Sequence, residues 1–252
     1  MVRSGSTYAN LLSTFMFVSV IIPTWNEELH LERLLKELNE QSFQDFEVIV
    51  ADKHSEDGTR DVAKKFGVRL IKGGKVSFGR NAGAAAAQGQ IFLFLDADAI
   101  LPSKDFLKDV FSEVKARRLD LAGTMVKPDS TRLIDKVLHW GYNQYIYIMG
   151  SVLPHAAGTC LITKRFIHES IGGFDESITL AEDHDYVRRG AQFGQFGIIK
   201  SHPIITDVRR LEKEGRIMLT LKYIMAEFYI LVFGPIRGRF FKHEFGHKKE
   251  DE

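Results

Sequence analysis

Residues 91–100 read IFLFLDADAI: an unbroken apolar run, Ile91 to Leu95, and then two carboxylates one residue apart, Asp96 and Asp98. An apolar run of that length without alternation predicts a strand buried on both faces, as in a parallel sheet covered by helices on either side. Two like charges at its carboxyl end repel and raise each other's pKa unless a cation lies between them. The stretch therefore asks for a positive group that it does not itself supply.

The sequence on either side repeats the strand–helix pattern. VSVIIP is β-rich and stops at Pro23, and the leucines at 31, 34, 35 and 38 then follow the spacing of a helix with one buried face. FEVIVAD and VRLIK predict two more strands, separated by a short helix over Thr59–Phe66. An alanine-rich helix over Ser77–Gln88 precedes the 91–96 strand. A helix over Ser103–Arg117 and a strand LDLAGTMV follow it. The pattern specifies an α/β protein with a mostly parallel twisted sheet, helices on both faces and a C-terminal helical extension.

Composition narrows the function. The 252 residues, 44% hydrophobic, suit one sizeable domain with an appendage. Lys plus Arg number 34 against 33 for Asp plus Glu, so no overall field favours nucleic acid. The single cysteine, Cys160, forms no internal disulfide, fits a reducing cytosol and is expected to pack as a small apolar group. Residues 1–16 read as a leader that need not be native. Ser13, Thr14 and Ser19 break its apolar run, so export is not expected.

In an open α/β sheet, ligands bind outside the carboxyl ends of the strands. Three predicted strands deliver Thr24, Asn26, Glu27, Asp52, Asp57, Asp96 and Asp98 to that edge. Asp57–Gly58 reads as a turn. Asp96 and Asp98 together suit a divalent cation or sugar hydroxyls.

VSVIIPTWNEE, VIVADKHSEDGT, GRNAGAAAAQGQIFLFLDADA and GGFDESITLAEDHDY, in that order and spacing, resemble family 2 glycosyltransferases over residues 17–210. The resemblance implies a GT-A fold and inverting transfer from a nucleotide-sugar donor. Pro23, Thr24, Asn26 and Glu27 would hold the nucleotide, with Asp52 accepting an N–H of uracil or guanine. Lys53 and His54 stand where the family more often has an acidic or small residue, which leaves the base open. Arg80 and Asn81 match a basic, polar pair facing the donor. Asp98 would ligate Mg²⁺ or Mn²⁺, and Asp96 would touch the ribose or the metal's shell. Asp183 would be the general base and Glu182 a positioning or acceptor-binding residue. His184 is given no role.

That reading makes residues 17–210 a catalytic domain and 211–252 an extension. The partners are a UDP- or GDP-sugar and a glycan or lipid-linked acceptor. A sugar-phosphate nucleotidyltransferase shares such a sheet but has a glycine-rich N-terminal loop, and IPTWNEE has no glycine. A dehalogenase-type phosphatase places its Asp-x-Asp on an early strand. A non-catalytic nucleotide-sugar-binding subunit would not need both Asp98 and Asp183. HWGYNQYIYIMG, residues 139–150, is expected as a core helix. DVRRLEKEGR, 207–216, reads as a charged helix face or a lid with Arg209 and Arg210 near the diphosphate. Residues 217–233 are apolar but carry Lys222 and Glu227, and a basic tail follows. They suit a helix lying in an anionic membrane surface through residues 217–249, or one packed on the protein. The expected location is the cytoplasm, at the inner membrane face in the first case.

Overall fold

The computed structural model describes residues 17–150 and 152–237. The leader 1–16 and the tail from residue 238 lie outside the described residues. The chain runs β1 (Val18–Thr24), α1 (Glu28–Asn39), β2 (Phe46–Asp52), α2 (Thr59–Lys65), β3 (Arg69–Lys72), α3 (Val76–Ala86), β4 (Ile91–Leu95), α4 (Phe106–Ala116) and β5 (Leu121–Pro128). It continues with α5 (Leu133–Met149), β6 (Cys160–Lys164), α6 (Arg165–Ser170), β7 (Ile178–Leu180), α7 (Glu182–Gly190), β8 (Phe196–Thr206), α8 (Arg209–Glu214), α9 (Arg216–Phe233) and β9 (Ile236–Arg237).

Seven strands form one sheet in the order β3-β2-β1-β4-β6-β5-β8. All neighbours are parallel except β6, which is antiparallel to both β4 and β5. Val18 is in register with Phe46 on one side and Ile91 on the other, so the carboxyl ends of β1, β2 and β4 finish at one edge. Every residue of β1 and β4 is buried. Successive side chains alternate between two cores. Val20, Ile22, Leu93 and Leu95 meet Leu31, Leu34 and Phe106 of α1 and α4, whereas Ile21, Phe92 and Phe94 meet Ala84 and Tyr186 of α3 and α7.

Two sequence expectations need correcting. The 139–150 stretch is helical, as the second half of α5. However, only Asp135 and Ile146 of that helix are buried, and Trp140, Tyr147 and Ile148 face outward. The helix lies against β5 at the far side of the sheet, where one face alone has something to pack on. Strand β6 was not anticipated. Cys160 opens it, fully buried, as an apolar group.

The small residues of α3 set how closely it lies on the sheet. A Cβ on Gly83 would come within 2.2 Å of Ile21 Cγ2. Gly83→Ala should therefore force α3 off β1 and cost about 1–3 kcal/mol, the usual penalty of overpacking. Urea unfolding with an unchanged midpoint would show that the helix has room to spare.

Candidate active site

The ends of β1 and β2 are laced together. Buried Asp52 accepts hydrogen bonds from Thr24 Oγ1 at 3.3 Å and from the Ser55 N–H at 3.0 Å, and Arg60 Nε lies 3.8 Å away. Asn26 donates its N–H to Ser55 Oγ and accepts the Glu56 N–H at Oδ1, both at 2.9 Å. The Lys53 ammonium sits 3.6 Å over the Trp25 ring. Asp57 accepts the Thr59 N–H as the expected turn residue.

Among the described residues four non-glycine residues have positive φ, and three of them, Asn26, His54 and Ala181, sit in the loops where β1, β2 and β7 end. Such backbone is costly, and it persists where surrounding contacts over-determine it, commonly at functional sites.

The centre of the site is Arg80. It comes from α3 and is almost fully enclosed. Its guanidinium donates to Asp96 Oδ1 at 2.9 Å, to the Gly158 carbonyl at 3.1 Å and to Glu182 Oε1 at 3.1 Å. Burial works against charge on Arg80, yet Asp96, Glu182 and Asp183 outweigh it and push its pKa further up. Glu182 is pushed up by burial and by Asp183, with Arg80 opposing. Asp183 accepts the Gly158 N–H at 2.7 Å and, with its other oxygen, the His184 N–H at 2.9 Å. The Asp-x-Asp edge and the Glu-Asp helix start are thus held against one guanidinium.

Asp98 faces a second cluster. Arg209 Nη2 lies 3.9 Å from Asp98 and 3.8 Å from Glu27, and Arg209 Nε lies 2.8 Å from Asp207. His30 spans the same acids, 3.0 Å from Glu27 and 3.7 Å from Asp207. Burial, then Asp96, then Glu27 push the Asp98 carboxyl up to about 7, with Arg209 opposing.

Asn81, beside Arg80 on α3, meets the loop after α6. Its carboxamide donates to the Phe174 carbonyl and to Glu176 and accepts the Phe174 N–H, so it pins that loop. On a helix, adjacent residues point about 100° apart, and Arg80 alone turns to the acids.

Sequence reasoning missed Gly158, His30, Asp207 and Glu227. Glu227, the lone carboxylate of α9, bonds His184 Nδ1 at 2.9 Å, Arg188 Nη2 at 2.5 Å and Tyr145 Oη at 3.2 Å. The acid that, with Lys222, interrupts the apolar run was the available signal. Burial would raise its pKa, but His184 and Arg188 hold it down at about 2. Burial also disfavours charge on His184, and Asp183 and Glu227 outweigh it, raising the His184 pKa.

Comparisons with known proteins identify the family and the fold. The model of the family Glycosyl transferase family 2 matches residues 19–172. Glycosyltransferase AglE of Haloferax volcanii is 32% identical over 208 residues, covering 77% of this chain and 67% of the relative. A Methanococcus voltae protein, dolichyl N-acetyl-alpha-D-glucosaminyl phosphate 3-beta-D-2,3-diacetamido-2,3-dideoxy-beta-D-glucuronosyltransferase, is 30% identical over 193 residues, 68% of this chain and 60% of that one. Among solved structures, the mannosyltransferase PcManGT of Pyrobaculum calidifontis, in complex with GDP-Man and Mn²⁺, superposes with a TM-score of 0.70 at 20% identity, over 88% of this chain and 66% of that one. The fold is the GT-A fold, an α/β sheet with helices on both faces. The chain belongs to glycosyl transferase family 2 and is a glycosyltransferase.

The Glu227 cluster gives a pH prediction. A depressed carboxylate contributes stability that is present above its ordinary pKa of about 4.5 and is lost as pH falls towards 2. Glu227→Gln should cost on the order of 3 kcal/mol at pH 6, and the gap to the parent should close as the pH falls below about 4. A gap independent of pH in acid urea titrations would mean that packing, and not charge, holds the helix.

Proposed function

We propose that this enzyme transfers one hexosyl-type sugar, with inversion, from a UDP- or GDP-sugar to an acceptor hydroxyl or lipid phosphate. The observation that carries the reading is the Arg80 bridge. It holds Asp96, from the donor-side strand end, and Glu182, from the Glu-Asp helix start, on one guanidinium, 2.9 and 3.1 Å away. Donor and acceptor machinery then share a single site.

In this reading Pro23, Thr24, Asn26, Glu27 and Asp52 form the nucleotide pocket. Asp52 is buried at the edge and already accepts hydrogen bonds, the chemistry that a base N–H requires. Asp98, with Asp96 beside it, fits Mg²⁺ or Mn²⁺. Among the described residues no three His, Cys, Asp or Glu side chains converge to hold an ion alone, so phosphate oxygens and water would complete its shell. When bound, the ion neutralises charge building on the departing diphosphate. Arg80 is engaged by Asp96 and Glu182 and acts as their counter-charge. Arg209, beside Asp98 and Glu27, is the cation placed to share the phosphate charge.

Asp183 is the proposed base. The Gly158 N–H fixes one oxygen and a backbone N–H of its own helix fixes the other, so the carboxylate is oriented before the acceptor arrives. Glu182, held by Arg80, positions the acceptor. Residues 17–210 carry this machinery, and 211–252 form the extension. The enzyme works from the cytoplasmic side, with α9 against a membrane surface.

Asp98→Asn should strongly weaken Mn²⁺-dependent binding of a nucleoside diphosphate while leaving the melting temperature near the parent's. Equal calorimetric affinities would remove Asp98 from the metal site. Asp183→Asn should lower kcat by about 10²–10⁴-fold with donor affinity nearly unchanged, the signature of a lost general base. Full activity in Asp183→Asn alongside an inactive Glu182→Gln would move the base to Glu182.

A further inference from the structure

Helix α7 opens with Glu182, Asp183 and Asp185, three acids in its first turn. A helix start favours negative charge, but carboxylates packed this closely also need cations. Two of the three have one. Glu182 pairs with Arg80 at 3.1 Å, and Asp185 pairs with Arg189 at 2.8 Å. Asp183 is different. Among the described residues no lysine or arginine forms an ion pair with it, and its two oxygens accept backbone N–H groups, from Gly158 and from His184. The backbone orients this carboxylate without balancing its charge.

The next side chain in the sequence is placed to do so. His184 reaches α9, where its Nδ1 lies 2.9 Å from Glu227 Oε2. An ionised carboxylate only accepts, so Nδ1 carries a hydrogen. Glu227 is fixed in turn by Arg188 of α7 and by Tyr145 of α5, whose hydroxyl is 3.2 Å away. Three helices therefore hold one imidazole.

A second imidazole packs against it. The ring of His155, from the loop before β6, is centred 4.8 Å from that of His184 and 4.7 Å from that of Tyr145. His155 is fully buried, its Nδ1 donates to the Leu153 carbonyl at 2.7 Å, and its Nε2 has no partner. Burial, then His184, push the His155 pKa down, so His155 is the neutral ring of the pair. Burial opposes charge on His184 too, but Asp183 and then Glu227 outweigh it, with Arg188 on the side of burial, and the His184 pKa rises. The stack holds one positive charge, and it adjoins Asp183.

We infer that His184, held by Glu227 of α9, is a positioning residue of the transfer reaction, its imidazolium being the counter-charge that keeps Asp183 ionised and ready for the acceptor's proton. The inference rests on the reading of Asp183 as the base. In transfer the acceptor's O–H proton passes to Asp183 as the new C–O bond forms, and the sugar–diphosphate bond breaks with its electron pair leaving on the diphosphate. A cation beside Asp183 favours its carboxylate form before that step. It also makes α9 a working part of the site, although that helix supplies no residue of the nucleotide pocket or the metal site. A mere tie between helices would need only a neutral hydrogen bond.

The test has two arms. The first needs no reaction. The imidazole C–H signals of the full chain are followed by NMR across about pH 5–9, with His184→Gln assigning the His184 signal. We expect its midpoint to lie above the ordinary value of about 6.5 and to move to lower pH in Asp183→Asn and in Glu227→Gln, where an opposite charge is lost. A midpoint unchanged in Asp183→Asn overturns the pairing. The second arm is Mn²⁺-dependent hydrolysis of UDP-glucose and GDP-mannose, in which water takes the acceptor's place, run at a temperature where circular dichroism shows both proteins folded. His184→Gln should lower kcat with donor KM near the parent's. The acid limb of its kcat profile should move up by about one pH unit, because Asp183 without the imidazolium takes a proton more readily. An unmoved acid limb reduces the Glu227–His184 bond to a structural tie and overturns the inference. Should Asp183→Asn hydrolyse donor like the parent while the NMR midpoint still moves, the base reading fails and the charge pairing stands.

Discussion

One buried guanidinium organises the acidic edge of this protein. Arg80 stands where Asp96, Glu182 and Asp183 would otherwise repel one another inside a poorly solvated space. Burying a charge without partners is expensive, and removing one member of such a cluster commonly costs several kcal/mol because the others are left uncompensated. The three carboxyl groups come from the end of β4 and the start of α7, elements far apart in the chain. Arg80 reaches them only because α3 lies close on β1, which its glycines allow. Charge balance at the site thus depends on small residues that touch no ligand.

The second cluster, around Arg209, follows the same logic more loosely. Glu27, Asp98 and Asp207 share one arginine and one histidine, and two of the arginine contacts are near 4 Å. Such a cluster holds more negative charge than its own cations balance closely. The Arg80 knot, with contacts of 2.9 and 3.1 Å to Asp96 and Glu182, is the tighter of the two.

Much of the β1, β2 and β4 edge was legible in the sequence. The β1, β2 and β4 runs are continuous and apolar because both of their faces are covered, and the leucine spacing of α1 could satisfy only a helix. The edge residues followed from the rule that ligands sit at strand carboxyl ends. Strands β6 and β8 were harder. CLITK is short and pairs antiparallel, and FGIIKSHPIIT is interrupted by polar residues near a register shift opposite Thr124 and Val126. The loop contacts of Asn81 were not legible, because adjacency to Arg80 in sequence does not mean a shared direction on a helix. The faces of α5 and α9 were illegible for another reason. A helix apolar all round shows its period but not which side is covered. Glu227 marks the inner side only once its partners are known.

The Glu227 clamp also bears on how the protein is made. Glu227 and His184 are 43 residues apart, and Arg216 and Asp135 are 81 apart. The strands β3, β2, β1 and β4 all lie before residue 96 in the chain. The clamp on α7 closes only when α9 has also emerged. A chain that stops before α9 lacks the carboxylate that bonds His184 and Arg188 of α7.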